Sequence, residues 1–149
     1  MTCQDNTHFW QTTSLEQMTS DQWEALCDRC ARCCLQKLED GSTGQVYYTR
    51  VACRLLDIQN CRCRNYTRRT LQVPNCMVLT PKDVRRIAWL PSTCAYRRLA
   101  AGCDLPEWHP LISRSYESIH QAGISVRHLA VPFDEAPPEQ FHRYVIELD

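Results

Sequence analysis

Glycine is scarce in this chain, four in 149 residues, and a loop that cradles phosphate with successive backbone amides needs more than that. No Gly-rich phosphate loop, Ser-His-Asp arrangement or pair of catalytic carboxylates can be read. Long apolar runs are missing too. No stretch approaches the roughly 18 residues that cross a bilayer, and the mean hydropathy is −0.44, which excludes a membrane-spanning helix. Net charge is absent, with 17 Lys and Arg against 17 Asp and Glu, so the chain as a whole exerts no long-range pull on a polyanion. Its opening, MTCQDNTHFWQTTSL, has no basic start, apolar run and small-residue cleavage site in succession, so the expected location is the cytoplasm.

What the chain has in excess is cysteine, 11 residues. Cytosolic thiols are kept reduced, and an odd count leaves one sulfur over in any all-disulfide scheme, so metal ligation is the better account. The 44% hydrophobic fraction includes those cysteines. Without them the apolar content is modest for a single domain, and metal cross-links would supply the missing cohesion. The densest stretch is CDRCARCC, Cys27 to Cys34. On a continuous helix Cys30 lies about 60° and Cys34 about 20° from Cys27, so Cys27, Cys30 and Cys34 share a face. In a loop, the Cys-x-x-Cys spacings bring Cys27, Cys30 and Cys33 together, as in zinc knuckles and iron–sulfur ligand runs. Either way the adjacent Cys33 and Cys34 diverge, which implies more than one metal or a bridged cluster. Cys61 and Cys63 face the same way on an extended segment and can grip one ion. Cys53, Cys76 and Cys94 stand alone in sequence, as ligands delivered by a fold do. Cys3 and Cys103 read as ordinary thiols.

The local pattern predicts an α+β fold: a small, irregular single domain of short helices and β-hairpins, cross-linked by cysteine-ligated metal. Thr19-Ser20-Asp21 caps a helix that runs toward the first cysteines. Leu35–Leu38 and Gln45–Thr49 form a hairpin around a turn-rich loop. Val51–Leu56 continues as strand or starts a short helix, and residues 60–75 read as polar loop. Thr80-Pro81 starts a helix to about Ile87, and Ser92-Thr93 starts one over Cys94–Ala101 that Gly102 stops. Ser125–Val131 and Tyr144–Leu148 alternate as strands. Ala136-Pro137-Pro138-Glu139 marks a turn, which separates a metal-binding part, 1–131, from a tail, 132–149.

Several strings now carry a resemblance: W-E-x-L-C-D-x-C-x-x-C-C-L-x-K-L-E-D from Trp23, V-A-C-R-L-L-D from Val51, C-R-C-R-N-Y from Cys61, W-L-P-S-T-C-A-Y-R from Trp89, L-P-E-W-H-P-L from Leu105 and G-I-S-V-R from Gly123. Together they resemble the YcgN family of bacterial proteins, within the wider CxxCxxCC (YkgJ-like) class of zinc- or iron-chelating domains, over roughly Phe9 to Val131. The resemblance implies a metal site built from Cys27, Cys30, Cys33, Cys34, Cys53, Cys61, Cys63, Cys76 and Cys94. It names no reaction. A flagellin lysine methylase with a similar motif is associated with an iron–sulfur cluster, which keeps that cofactor open by analogy. Where such relatives often carry glycines, this chain has Arg29 and Ala31, which favours a more helical motif. The tail from Pro132 onward lies outside the resemblance.

Charge and histidine complete the reading. Arg54 to Arg98 holds ten Lys and Arg against Asp57 and Asp83, a local +8. Four thiolates on a divalent zinc carry a formal −2, so basic side chains that neutralise such a site rank ahead of a nucleic-acid surface stacked by Tyr66, Trp89 and Tyr96. His109, in Trp108-His109-Pro110, is expected to bond to backbone rather than to metal; His8, His120, His128 and His142 show no ligand spacing. The expected function is a cytosolic metal-binding protein holding zinc or iron, with an undetermined protein partner and no catalytic constellation. An iron–sulfur redox protein or enzyme comes second, and a nucleic-acid-binding module with structural zinc third.

Overall fold

A computed structural model describes residues 8–148; Cys3 lies outside them. The fold is α+β, with short helices and small antiparallel sheets. Chain contacts gather into two compact units, one of residues 8–28 and 79–118, the other of 29–78 and 119–148.

The first unit is helical. Its elements are α1 (Phe9–Thr12), α2 (Ser20–Ala25), α4 (Pro81–Arg86), α5 (Ala95–Ala100) and α6 (Pro110–Ser113). Two threonines set helix starts as the sequence predicts. The Thr19 hydroxyl accepts from the Gln22 amide at 3.1 Å while the Gln22 side chain accepts from the Thr19 amide at 3.0 Å. Thr80 and Asp83 form the same reciprocal pair, both bonds 3.2 Å, with Pro81 at the first helical position. Each pair satisfies amides that the first turn leaves without intrahelical partners. Gly102, at φ +82°, follows α5 in the left-handed conformation that ends a helix without a Cβ penalty. Trp10, Leu15, Leu26, Val84, Leu90, Ala95, Tyr96 and Leu105 make the core, with Trp23 against Tyr96 at 4.5 Å between ring centres.

The second unit carries the sheets. Strands β1 (Leu35–Glu39) and β2 (Val46–Ala52) pair antiparallel, Lys37 opposite Tyr48, with an irregularity between Leu35 and Lys37. Asp40 folds the connecting loop by accepting from the Ser42 amide at 2.8 Å and its hydroxyl at 2.7 Å. The other edge of β2 takes β5 (Val145–Ile146), contributed by the C-terminal residues. A turn closed by Leu56 N–H to the Cys53 carbonyl (2.9 Å) leads to a second hairpin, β3 (Leu56–Asp57) with β4 (Arg62–Cys63). Helix α3 (Arg69–Gln72) follows, and α7 (Ser118–Gln121) precedes the C-terminal part. The apolar groups are small: Ala31, Leu35, Ala52, Leu56, Cys61 and Val126 in one, Val51, Ala136 and Phe141 in another.

Four expectations are corrected. Residues 60–75, read as polar loop, contain β4 and α3. The helix predicted to run into CDRCARCC stops at Ala25, and the motif is a loop that tightens into a 3₁₀ turn at Arg32–Cys34. Arg29 and Ala31, read as disfavouring positive φ, adopt φ of +64° and +65°; the motif enters the left-handed region twice without glycine. Ser125–Val131 is not a strand. The amides of Leu129 and Ala130 both turn back to the Val126 carbonyl, at 3.1 and 2.9 Å, and only Val131 bridges, in parallel, to Val51.

Candidate metal centre

Seven of the nine singled-out cysteines lie in the second unit, and Cys27 and Cys94 lie in the first. Cys94 stands at the residue before α5, without a side-chain capping bond, and packs against that unit's core. In the second unit four segments converge. The Arg32–Cys34 turn delivers Cys33 and Cys34 directly into β1. Cys53 stands one residue beyond β2, its amide donating to the Cys34 carbonyl at 2.8 Å, so the end of the hairpin sets Cys34 and Cys53 side by side. Cys63 comes from β4, and Cys76 from a turn after α3 in which its amide meets the Val73 carbonyl at 2.9 Å.

Electrostatic coupling traces the gathering. Cys33, Cys34, Cys53 and Cys76, as thiolates, all push the Lys37 ammonium toward its charged form, although burial has the larger effect and pulls its pKa below the ordinary lysine value. Burial pushes the Cys76 thiol up; Arg69, by charge and hydrogen bond, acts against that, and Cys53 and Cys63 add to it. Cys33, Cys34, Cys53 and Cys76 thus each act on Lys37, and Cys53 and Cys63 each act on Cys76. Among the described residues no group of three or more His, Cys, Asp or Glu side chains is placed to hold a metal ion.

The donor chemistry fits a thiolate-bound metal. Two cysteine sulfurs accept from the amide two residues on: Arg32 N–H to Cys30 Sγ at 3.4 Å and Leu55 N–H to Cys53 Sγ at 3.5 Å. Amides aimed at sulfur stabilise its anionic form. A cleft of about 210 Å³ bordered by Cys53, Arg54, Gln72 and Phe133 opens beside this group. Metal held by Cys33, Cys34, Cys53, Cys63 and Cys76 would cross-link segments that share little apolar surface; of these five, Cys53 borders the cleft.

Cys61 behaves differently. The segment predicted to extend through Cys61 and Cys63 turns at Cys61, φ +54°, where the buried thiol donates to the Ile58 carbonyl at 3.4 Å. Burial pushes its pKa up, with a hydrogen bond from Ser125 opposing. Cys103 is exposed. His109 is fully buried and both ring nitrogens are engaged: Nε2 meets the Leu26 carbonyl at 2.7 Å, and Nδ1 accepts from the Leu111 amide at 3.0 Å, capping α6. Nδ1 as acceptor makes Nε2–H the donor, so the ring is neutral and leaves no nitrogen for a metal.

The basic block is dispersed into local tasks. Arg97 donates to the Ala88 carbonyl at 3.0 Å, Arg98 to that of Asp104 at 2.9 Å, and Arg86 pairs with Asp83 at 2.6 Å. Arg85 pairs with Glu16. Arg69 lies 3.8 Å from the centre of the Tyr66 ring. The residue that sequence reasoning passed over is Lys37, whose only signal was its place in the hairpin.

Comparison with known proteins places the chain. Residues 26–95 match the CxxCxxCC family, described as "Putative zinc- or iron-chelating domain". A UPF0260 protein of Mesorhizobium japonicum is 53% identical over 143 residues, covering 95% of this chain and 97% of the relative. The chain belongs to the UPF0260 family. Other UPF0260 proteins align comparably: one from Gluconacetobacter diazotrophicus is 53% identical over 93% of this chain and 86% of its own length, and one from Rhizorhabdus wittichii is 53% identical over 90% and 92%. No solved structure matches this UPF0260 chain. Among its described residues no helix is long and apolar enough to cross a membrane.

Proposed function

We propose that this UPF0260 protein, of the YcgN branch, is a cytoplasmic metal-binding protein that holds zinc or iron through Cys27, Cys30, Cys33, Cys34, Cys53, Cys61, Cys63, Cys76 and Cys94. The metal-binding part is 1–131 and the tail 132–149 is an addition to it. The observation that carries this reading is the convergence of Cys33, Cys34, Cys53, Cys63 and Cys76 from four chain segments. Five cysteines brought together from four segments exceed what an inert apolar core needs, because a thiol contributes little more than a small hydrophobe. Bound metal would contribute folding free energy to a unit whose apolar groups are small. Protein partners, if recruited, would meet the outer surface; nucleic acid ranks behind, since so many of the arginines are engaged locally.

Five converging sulfurs, two of them adjacent, also support a second reading, an iron–sulfur centre. Elemental analysis with an absorption spectrum, on protein purified without oxygen from cells supplied with iron and zinc, separates the two. Colourless protein with stoichiometric zinc supports the structural site. Brown protein with iron and acid-labile sulfide supports the cluster. Protein with neither metal, folded as described, refutes both.

A further inference from the structure

Lys37 stands where a lysine gains little by packing alone. It lies on β1 opposite Tyr48, just past the irregularity that separates it from Leu35, and its ammonium turns back toward the cysteine turn instead of outward. Nζ donates to the Cys33 and Leu35 carbonyls, both at 2.8 Å, and sits 5.2 Å from the centre of the Tyr48 ring. A lysine on a hairpin edge ordinarily extends its head to water. Here the head binds the carbonyl of a candidate ligand, beside the turn that carries Cys34.

We propose that Lys37 is the positioning cation of this centre: its ammonium fixes the Cys33–Cys34 turn through the Cys33 carbonyl and supplies the positive charge that lets Cys33, Cys34, Cys53 and Cys76 hold a divalent metal as thiolates. The inference rests on the metal-binding reading above. Thiolates gathered on one divalent ion leave net negative charge, and removing that charge from water is costly unless a cation accompanies it. The geometry places that charge at the ligands' entry: Nζ binds the carbonyls of Cys33 and Leu35, the two residues that flank Cys34, and the Cys34 carbonyl in turn accepts from the Cys53 amide at 2.8 Å. Arg69 is held by the Tyr66 carbonyl and ring, whereas Lys37 stands on β1, where Cys33 and Cys34 enter.

The test is the affinity of the full chain for Zn²⁺, and for Fe²⁺ without oxygen, measured by competition with a chromophoric chelator. Lys37→Gln keeps a hydrogen-bond donor without charge, Lys37→Met removes both, and Lys37→Arg keeps both. Lys37→Gln and Lys37→Met should bind about 10- to 100-fold more weakly, the usual cost of losing a partner just outside the ligands, with Lys37→Arg close to wild type. Lys37→Gln binding as tightly as wild type overturns the role of charge. Equal loss in all three variants, arginine included, makes Lys37 a shape-bound tether and overturns the proposal as well. A wild-type chain that binds neither ion refutes the metal reading itself, a result distinct from any pattern among the variants.

Discussion

His109 shows how much a single side chain can hide. Its sequence setting, Trp-His-Pro, suits a ligand as well as a structural residue, and the geometry decides: Nε2–H is given to the Leu26 carbonyl, immediately before Cys27, and Nδ1 caps α6. Burial pushes its pKa below the ordinary histidine value of 6.5, with the Leu26 hydrogen bond and the charge of Asp28 opposing. The folded chain thus prefers the neutral ring. Below pH 6.5 the unfolded chain takes up a proton that the folded chain refuses, so stability present above that value is lost as pH falls, by up to about 1.4 kcal/mol per pH unit within the window. Denaturation midpoints of the metal-free protein, taken from about pH 7.5 down to 5, should fall in wild type and fall less in His109→Asn. Equal slopes would mean that other groups govern the acid response. That the ring would bond to backbone was expected; which carbonyl and which amide it would meet was not legible, because one partner lies 83 residues away.

At the scale of elements, legibility followed locality. The Thr19 and Thr80 helix starts, the first hairpin and the Gly102 stop depend on residues within a few positions of one another, and each was readable. Ser125–Val131 has the alternation of a strand, yet strand pairing needs a neighbour, and the chain closes turns on Val126 instead. The CDRCARCC loop failed for another reason. Residue type argued against left-handed backbone at Arg29 and Ala31, and the fold imposes it, at a cost of roughly 1–2 kcal/mol for each residue carrying a Cβ. A pair of substitutions reads that cost directly. Arg29→Gly and Arg29→Val both remove the guanidinium, so their difference isolates the backbone. At an ordinary position glycine is the weaker by about 0.5–1 kcal/mol through its greater unfolded-state freedom. Here the order should reverse, with the valine variant less stable by about 1 kcal/mol or more, because a β-branched side chain is the least tolerant of φ +64°. Chemical denaturation of the two variants checks the sign.

Across the whole molecule, the two units differ in what holds them. The first has an apolar core with three large aromatic or aliphatic anchors, Trp10, Leu26 and Tyr96, and needs no metal to account for its packing. The second relies on two small apolar groups, with Cys34, Cys53 and Cys61 standing in or against one of them, and holds most of the proposed ligands. Cysteine density announced that dependence in the sequence; which sulfurs meet did not show, because Cys53, Cys63 and Cys76 are brought to Cys33 and Cys34 by strand register and by the turn after α3. Removing metal should therefore act unequally. After chelation, amide hydrogen exchange in Leu35–Glu39 and Val46–Ala52 should accelerate toward unfolded rates, while Ala95–Ala100 keeps its protection. Cys53→Ser should produce the same pattern without a chelator. Acceleration that reaches Ala95–Ala100 as well would enlist Cys94, at the start of that helix, among the residues whose fold depends on metal. Unchanged exchange in both strands would mean that the cysteines are a packed core after all, since a site whose ligands contribute folding free energy cannot be emptied without loosening the strands that carry it.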